Sequence, residues 1–226
     1  MLTASRILQE IESGKIIIEP FDIKNLNPNS YNCSLGDTLK YYDKDFNYGV
    51  LDPHQQTPTH TIKILPQGLL LRPGELYLAN VQERVATDYY ISAIDGRSSI
   101  GRLGINIHAT AGFGDIGFDG HYTLEIFCVK PVVVYPGMKI AQIYFEEPTG
   151  DVDFLYRGRY QGQVEPTESR MSYTDEQLDS NYYYHGGNHN EKDNRCSGSS
   201  VSRKKTQQSS ARQSRRRKKS GEESEK

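Results

Sequence analysis

The sequence contains no tryptophan, only three cysteines and no long apolar run among its 226 residues. The cysteines form no CxxC pair, so a disulfide framework is not expected and a reducing compartment is favoured. A helix that spans a bilayer needs about 20 predominantly apolar residues, and no stretch approaches that length. The N-terminal segment carries Glu10, Glu12 and Lys15 within its apolar pattern, which is not typical of a signal peptide. We therefore expect a cytoplasmic protein.

Aliphatic side chains are almost absent from residues 182–226, which hold only Val201 and Ala211 among many Ser, Asn, Gln, Lys and Arg residues. Such a segment cannot bury enough apolar surface to offset the entropy cost of ordering it. We predict one folded domain over residues 1–172 and a disordered, basic C-terminal tail over residues 173–226.

The net charge of −2 hides an asymmetry along the chain. The part that ends at Asn194 has 16 basic and 26 acidic residues, whereas the part from Arg195 onward has 11 basic and 3 acidic residues. A nucleic-acid-binding fold normally carries its basic patch on the domain itself. Any contact of the folded part with a polyanion should therefore be local, with a few arginines around a small phosphate group.

The basic residues of the tail are concentrated in Val201–Lys219, which holds nine of them and no acidic residue. Such a run can bind nucleic acid weakly through phosphate contacts, or it can act as a nuclear-import signal. A solvated tail without a partner is the alternative, and the sequence leaves both open.

Most of the domain has the alternating pattern of β-strands. Residues 4–13 are the exception, because Ile7, Leu8 and Ile11 fall on one helical face and Gly14 supplies a left-handed stop. The predicted strands are Lys15–Ile18, Ser34–Tyr42, Thr61–Leu65, Leu69–Leu71, Leu76–Val85, Ile105–His108, Thr123–Val129, Val132–Tyr135 and Lys139–Phe145. Many short strands at close spacing predict an all-β sandwich or barrel. Residues 97–103 interrupt this pattern and predict a short helical turn, which either carries function or only bridges two sheets.

Several common nucleotide and hydrolase motifs are excluded. Gly112–Gly117 matches GxGxxG, but strand formers follow it rather than a helix, so these glycines predict a tight turn between strands. Zinc-dependent nucleobase deaminases need HxE and a later PCxxC, and this chain has neither CxxC nor an HxE outside the tail. His108 and His121 lack a third placed ligand, so no zinc site is predicted. The sequence also contains no GxxxxGK[ST] and no GxSxG.

Two arginines and two serines, Arg97, Ser98, Ser99 and Arg102, fall within six positions. A guanidinium group offers a planar fork of donors to phosphate oxygens, and serine hydroxyl groups can complete such an anion site. The alternative is a pair of surface salt bridges and a helix cap.

Glu125 lies in an otherwise apolar strand, between Leu124 and Ile126. Strand alternation places its side chain on the same face as Thr123 and Phe127. The carboxylate is therefore either exposed to solvent or held in a site. Burial would raise its pKa and suit it to general acid–base catalysis near neutral pH.

These residues form motifs that resemble a known family. The motifs are Asp-Gly-Arg-Ser-Ser-x-x-Arg-x-Gly at residues 95–104, His-x-Thr-Ala-Gly-Phe-x-Asp-x-Gly-Phe-x-Gly at residues 108–120 and Thr-Leu-Glu at residues 123–125. Further matching segments lie at residues 16–20, 29–36, 136–142 and 159–170. In this order they resemble the dCTP deaminase branch of the trimeric dUTPase superfamily, over residues 1–172.

The resemblance implies a dUTPase-like distorted β-barrel (β-clip) with a short N-terminal helix. It implies a homotrimer whose active sites lie between subunits, and deamination of dCTP to dUTP and ammonia. The family uses no zinc in this reaction, and Mg²⁺ is bound with the triphosphate. It also suggests dTTP as an inhibitor, and a supply of dUTP or dUMP for thymidylate synthesis.

The resemblance also assigns roles by position. Glu125 would be the general base, Ser98 and the backbone of Ala111 would hold the attacking water, and Arg102 would lie near the reacting ring. Asp115 would accept a hydrogen bond from the sugar 3′-hydroxyl, and Arg97 and Ser99 would contact phosphates. The complete predicted substrate site is Arg97, Ser98, Ser99, Ile100, Gly101, Arg102, Asp115, Thr123, Leu124, Glu125, Tyr156, Arg159 and Gln163, the last three coming from a closing C-terminal segment.

Three activities remain open within this resemblance. Deamination that ends at dUTP is slightly favoured, because the deaminase residues can be named. A bifunctional enzyme that also cleaves dUTP to dUMP and pyrophosphate is the alternative, since Thr110–Phe113 resembles that variety. A dUTP diphosphatase without deaminase activity would leave Glu125 without a role. A nucleotide-sensing or nucleic-acid-binding protein that acts through the tail is the alternative outside enzymes.

Overall fold

Residues 1–173 are the part of the chain that the computed structural model describes. Residues 174–226 contain nearly all of the predicted disordered tail, with its basic run and any nucleic-acid contact, so these predictions lie outside the described residues. The predicted domain boundary at residue 172 remains a prediction.

The described residues form two short α-helices, two 3₁₀ turns and twelve strands. The helices are α1 (Ala4–Glu12) and α2 (Ser98–Gly101), and the 3₁₀ turns are Ile23–Asn25 and Phe46–Gly49. The strands are, in chain order, β1 (Ile17–Glu19), β2 (Leu26–Asn27), β3 (Ser30–Tyr42), β4 (Thr59–Lys63), β5 (Leu69–Leu71), β6 (Tyr77–Ala86), β7 (Ile91–Gly96), β8 (Ile105–Asn106), β9 (Phe113–Gly114), β10 (Asp119–Cys128), β11 (Val132–Val134) and β12 (Lys139–Glu146). Within residues 1–173, no helix is long and apolar enough to cross a membrane.

Ten of the strands form one sheet, which curls into a half-barrel. Its main path has the order β8-β10-β6-β3-β12-β7-β9, while β1 pairs with β6 and both β2 and β4 pair with β3. Strands β5 and β11 form a separate two-stranded sheet. Every one of these pairings is antiparallel. The predicted all-β fold with a short N-terminal helix is therefore confirmed.

The core lies inside this curl and fixes the register of the strands. In β10, Leu124 and Ile126 are fully buried, whereas the alternate residues Thr123 and Glu125 are partly exposed. Burial of each aliphatic side chain contributes about 1.5–3 kcal/mol. A shift of one residue would remove both aliphatic side chains from the core, so packing holds Glu125 on the outer face.

Helix α1 matches its prediction closely. Ile7 is fully buried, and Gly14 ends the helical segment with a φ of +74°. Glu10 is buried as well, and its carboxylate accepts from Arg6 Nε at 2.9 Å. The helix is tied to the sheet because Leu2 N donates to Phe145 O.

The main difference from the sequence prediction is β7, which was not predicted. Its sequence, Ile91–Gly96, mixes small and polar residues, but it pairs with β12 over six registered positions. Pairing with β12 therefore stabilises β7 as a strand, although the strand propensity of its own residues is low. In addition, β3 begins at Ser30 rather than Ser34, β10 begins at Asp119 rather than Thr123, and β8 has two residues rather than four.

Candidate active site

The carboxylate of Glu125 is held by the backbone of a neighbouring loop. Ala109 N donates to Glu125 Oε2 at 2.8 Å, and Glu125 N donates to Ile107 O at 2.9 Å. The side chain is partly exposed and lies on the face of Thr123. Of the two possibilities that the sequence left open, the structure therefore favours an oriented carboxylate over one that points freely into solvent.

The loop that supplies this contact packs closely on β7. Ile94 N donates to Gly112 O at 2.6 Å, and His108 Nε2 lies 3.5 Å from Asp95 Oδ1. A Cβ atom on Gly112 would lie 3.1 Å from Ile94 O and 3.2 Å from His108 Nε2. Because residue 112 has no side chain, the loop can lie against β7. Ala111, the preceding residue of the loop, is exposed.

Asp115 lies in the turn between β9 and β10, so the turn predicted over Gly112–Gly117 is shorter than expected, because residues 113–114 form β9. Its side chain is exposed, and its backbone carbonyl accepts from Phe118 N at 3.0 Å. Gly117 has a φ of +93°, and its amide donates to Thr87 O. A Cβ atom there would lie 2.6 Å from Leu155 Cβ, so the C-terminal segment also requires glycine at this position.

The Arg/Ser cluster lies on and around α2, where buried Ile100 fixes the turn to the core. Ser98, Ser99, Gly101 and Arg102 are exposed. Arg97 is partly buried, and its Nη1 donates to Lys139 O at 2.9 Å. Within residues 1–173, no hydrogen bond or ion pair joins this cluster to Glu125 or Asp115. Within one chain, the Arg/Ser cluster is thus not in direct contact with Glu125 or Asp115.

The C-terminal segment, residues 155–173, lies against β10, the strand that carries Glu125, and against the turn that precedes it. Tyr156 N donates to Ile116 O at 2.7 Å, and the Tyr156 ring packs 6.1 Å from the ring of Phe118. The Tyr156 hydroxyl accepts from Tyr160 N. Burial is the main cause that raises the pKa of Tyr156.

Gln163 continues this attachment at the start of β10. His121 N donates to Gln163 O at 2.9 Å, and Gln163 Nε2 donates to His121 O at 2.8 Å. A Cβ atom on Gly120 would lie 2.9 Å from Gln163 O, so glycine allows this close approach. Gln163 Oε1 is buried and has no hydrogen-bond partner among the described residues.

The segment then crosses to β3 through contacts that the sequence analysis did not identify. Thr167 N donates to Thr123 Oγ1, and Ser169 N donates to Tyr42 Oη at 3.1 Å. Lys40 Nζ lies 2.9 Å from Glu168 Oε2, and both side chains are partly buried. Lys40 and Glu168 are 128 positions apart, and no sequence pattern relates residues at that separation, so this contact could not be predicted from the sequence.

Arg159, predicted to bind the triphosphate, has its guanidinium group directed along the C-terminal segment. Its Nη1 donates to Arg170 O at 2.7 Å and to Tyr173 O at 3.1 Å. In return, Arg170 Nη1 donates to Arg159 O. Both of these bonds use Nη1, and the guanidinium group has three further N–H donors on Nε and Nη2 that can bind phosphate oxygens.

A cavity of about 460 Å³ lies between this segment and the loop that follows β3. It is lined by Tyr42, by residues 51–53 and 55–59, and by residues of the C-terminal segment that include Glu168 and Tyr173. Burial raises the pKa of Tyr42, and the nearby Glu168 and Glu125 carboxylates act in the same direction.

Within residues 1–173, no group of three or more His, Cys, Asp or Glu side chains is placed to hold a metal ion. Asp115 and Glu125 also do not form part of such a cluster. The described residues of one chain therefore contain no such cluster.

Comparisons with known proteins agree on one family. A family model described as "dCTP deaminase-like" matches residues 1–148. The "dCTP deaminase, dUMP-forming" of Clostridium beijerinckii is 52% identical over 161 residues, which cover 71% of this chain and 90% of that protein. The protein of the same description from Cytophaga hutchinsonii is 46% identical over 161 residues, with 71% and 91% covered.

One solved structure supports the fold. The 2′-deoxycytidine 5′-triphosphate deaminase of Agrobacterium tumefaciens superposes with a TM-score of 0.51 at 22% identity. The match covers 65% of this chain and 48% of the Agrobacterium chain, so this chain spans about half of that protein. At this identity, the likeness bears on the fold alone.

Proposed function

The chain belongs to the dCTP deaminase-like family, and from this premise we propose that it converts dCTP to dUMP, with release of ammonia and pyrophosphate. It is an enzyme of nucleotide metabolism, and the two-step reaction is its proposed activity. The first step replaces the 4-amino group of cytosine with oxygen, and the second hydrolyses the bond between the α- and β-phosphates. The product would supply dUMP for thymidylate synthesis.

The proposal revises the activity that the sequence analysis slightly favoured, a deamination that ends at dUTP. The relatives that are 43–52% identical over most of their length are described as dUMP-forming. Their description supports the bifunctional alternative better than release of dUTP.

The observation that carries the deamination step is the position of Glu125. Its Oε2 accepts from Ala109 N at 2.8 Å, so the carboxylate is directed toward the exposed loop 109–112 rather than across the core. A general base needs a fixed carboxylate within hydrogen-bond reach of its water. Exposed Ala111 could present its backbone to that water on the same loop.

The proton steps follow from this arrangement. Glu125 accepts a proton from the water that attacks C4 of cytosine and delivers a proton to N3. The proton of the new C4 hydroxyl group then passes to the amino group, and ammonia leaves as the C4 carbonyl forms. Ser98 helps to hold the water, and the guanidinium of Arg102 stabilises charge that develops on the ring. The backbone of Thr123–Glu125 reads the edge of the base.

The remaining predicted residues bind the sugar and the triphosphate. Asp115 accepts from the sugar 3′-hydroxyl, and Arg97 and Ser99 donate to phosphate oxygens, with Ile100 and Gly101 in the same turn. In the C-terminal segment, Tyr156 packs at the turn of Asp115, and Arg159 and Gln163 approach the triphosphate. Gln163 Oε1 is buried without a partner among the described residues, so Gln163 has hydrogen-bonding capacity that its present contacts do not use.

We place the complete site between two copies of the chain in a homotrimer. Ser98, Ser99 and Arg102 are exposed, and within the described residues they make no bond to Glu125. A second copy would bring its Arg/Ser cluster to the Glu125 face and exclude water from it. Removal of water strengthens each electrostatic contact in the site.

Mg²⁺ enters this proposal as part of the Mg·triphosphate substrate. The described residues provide no metal cluster, and Mg²⁺ commonly keeps several waters and binds phosphate oxygens. Bound in this way, it neutralises charge on the pyrophosphate leaving group. Binding of dTTP as an inhibitor and a cytoplasmic location remain predictions from the sequence.

The test is a two-product assay on the full chain. Purified protein with Mg²⁺ and dCTP should release ammonia and pyrophosphate in equal amounts and form dUMP. Release of ammonia without pyrophosphate would show that the reaction ends at dUTP. Release of pyrophosphate from dUTP, without ammonia from dCTP, would show that the protein is a dUTP diphosphatase. If neither product appears, the proposal is wrong.

A further inference from the structure

We infer that a buried hydrogen bond between Tyr122 and Ser92 positions Asp115 and thereby sets the preference of the site for a nucleotide with a 3′-hydroxyl. Both residues lie outside the predicted substrate site and outside the motifs at residues 95–104 and 123–125. The inference rests on the proposed function, in which Asp115 accepts from the sugar.

The bond crosses the interior of the half-barrel. Tyr122 lies in β10 and Ser92 in β7, and β6, β3 and β12 separate these strands in the sheet. Their hydroxyl oxygens are 2.6 Å apart, and the residues are only 7% and 2% exposed. A hydrogen bond between strands that are not neighbours links the two sides of the sheet at one point.

That point lies directly beneath β9. Gly114 pairs with Ser92 in the ladder between β7 and β9. A Cβ atom on Gly114 would lie 2.0 Å from the Tyr122 hydroxyl oxygen and 3.0 Å from Ser92 Oγ. The phenol oxygen thus occupies the space that a side chain at residue 114 would need, and the backbone of β9 lies against the hydrogen-bonded pair.

Asp115 is the next residue, and its turn contacts Tyr122 at both ends. Gly114 lies on the phenol oxygen at the beginning of the turn. At the other end, Phe118 N donates to Asp115 O, and the ring of Phe118 packs 5.0 Å from the ring of Tyr122. Movement of the Tyr122 hydroxyl would therefore be transmitted to the backbone that carries the Asp115 carboxylate.

The pair remains uncharged in the folded protein. Burial is the main cause that raises the pKa of Tyr122 well above its usual range, and the nearby charge of Asp115 adds to this effect. The Tyr122 hydroxyl therefore keeps its proton at neutral pH and can share it with Ser92.

A purely structural role would lower stability without changing which sugar the site prefers. The informative quantity is therefore the ratio of the dissociation constants for dCTP and 2′,3′-dideoxycytidine triphosphate, which differ in the 3′-hydroxyl. It is measured by calorimetry with Mg²⁺, on full-length protein that carries Glu125→Gln to prevent turnover. A hydrogen bond to a charged group corresponds to a preference of roughly 10- to 100-fold for dCTP in the parent protein.

Asp115→Ala should abolish this preference. Tyr122→Phe and Ser92→Ala should each reduce it by about 3- to 10-fold, which is the range for loss of one neutral hydrogen bond. Tyr122→Phe combined with Asp115→Ala should show no further loss beyond Asp115→Ala, because both changes act through the same carboxylate.

Tyr31→Phe is the matched control. Tyr31 is fully buried, and its hydroxyl accepts from Asp22 N at 2.9 Å, far along the chain from the turn of Asp115. This variant should lower the melting temperature and leave the preference for dCTP unchanged.

The inference is wrong if folded Tyr122→Phe protein keeps the parent preference, or if the parent shows no preference for the 3′-hydroxyl. Should Tyr122→Phe fail to fold, the same preference measured on Ser92→Ala decides the question. The two-product assay on the wild-type chain tests the proposed function separately, because the binding ratio does not depend on turnover.

Discussion

The ion pair between Lys40 and Glu168 attaches the C-terminal segment to β3, and Lys40→Met should release it. The two charged atoms are 2.9 Å apart, and the side chains are 22% and 24% exposed. Burial alone would raise the pKa of Glu168, but the hydrogen bond from Lys40, together with a backbone hydrogen bond and the charges of Lys40 and Arg170, outweighs it, so this pKa is lowered. Methionine has a similar length and removes the charge, which would leave the carboxylate partly buried without its cation.

The size of the effect follows from the distance and the burial. At 2.9 Å and an effective dielectric constant of about 20, the attraction is about 6 kcal/mol before the cost of desolvation is subtracted. Exposed pairs retain about 0.2–1 kcal/mol, and the loss of one partner from a fully buried pair costs about 3–5 kcal/mol. We expect about 1–2 kcal/mol for this partly buried pair, which corresponds to roughly a 5- to 30-fold increase in the open population of the segment.

Hydrogen exchange of individual amides measures this opening. The amides of Thr167 and Ser169 donate to side chains of β10 and β3, so both should exchange faster in Lys40→Met by about the same factor. Amides of α1 should not change. The double reversal Lys40→Glu with Glu168→Lys should restore slow exchange in the segment.

Lys63→Met provides the matched control, because Lys63 pairs with Asp37 at 2.8 Å but the two side chains are 63% and 61% exposed. This variant should leave exchange of the segment unchanged. The reasoning is refuted if Lys40→Met exchanges like the wild type, or if the double reversal fails to restore protection.

Three further predictions concern the base, the core and the tail. Glu125→Gln should lower ammonia release from dCTP by about 10²- to 10⁴-fold while calorimetry still detects dCTP binding, and turnover at the wild-type rate would eliminate the proposed base. Burial raises the pKa of Glu83, so its contribution to stability is present at low pH and is lost as the pH rises from about 4.3 through the higher folded-state value. Glu83→Gln should therefore flatten the dependence of melting temperature on pH above about 4, and an unchanged slope would contradict this assignment. Removal of residues 182–226 should leave both product rates unchanged, since every proposed site residue lies before that segment; a folded but inactive protein would show that the tail takes part.

Local periodicity was sufficient to predict the elements on which the site is built. The alternation of residues 123–127 placed Glu125 opposite Leu124 and Ile126, and the structure has this arrangement. Residues 97–103 broke the strand period, and they contain α2. Both patterns depend on side-chain spacing within a few residues, which the sequence gives directly.

Long-range contacts could not be predicted in this way. Strand β7 has little strand propensity of its own and is defined by its pairing with β12. The contact between Lys40 and Glu168, and the hydrogen bond between Tyr122 and Ser92, join residues that only the folded chain brings together. Gly114 was predicted to lie in a turn, but it belongs to β9, and its close contact with a phenol oxygen depends on a strand on the opposite side of the sheet.

The strict two-residue period of β10 also limits how this enzyme can change by insertion or deletion. One residue added within Asp119–Glu125 would turn Leu124 outward and move the carboxylate of Glu125 into the hydrocarbon interior. Variants with one codon inserted or deleted in this stretch should therefore be absent from the functional members of a variant library. By contrast, the loop after β3 has several consecutive exposed residues, and it should accept changes in length readily.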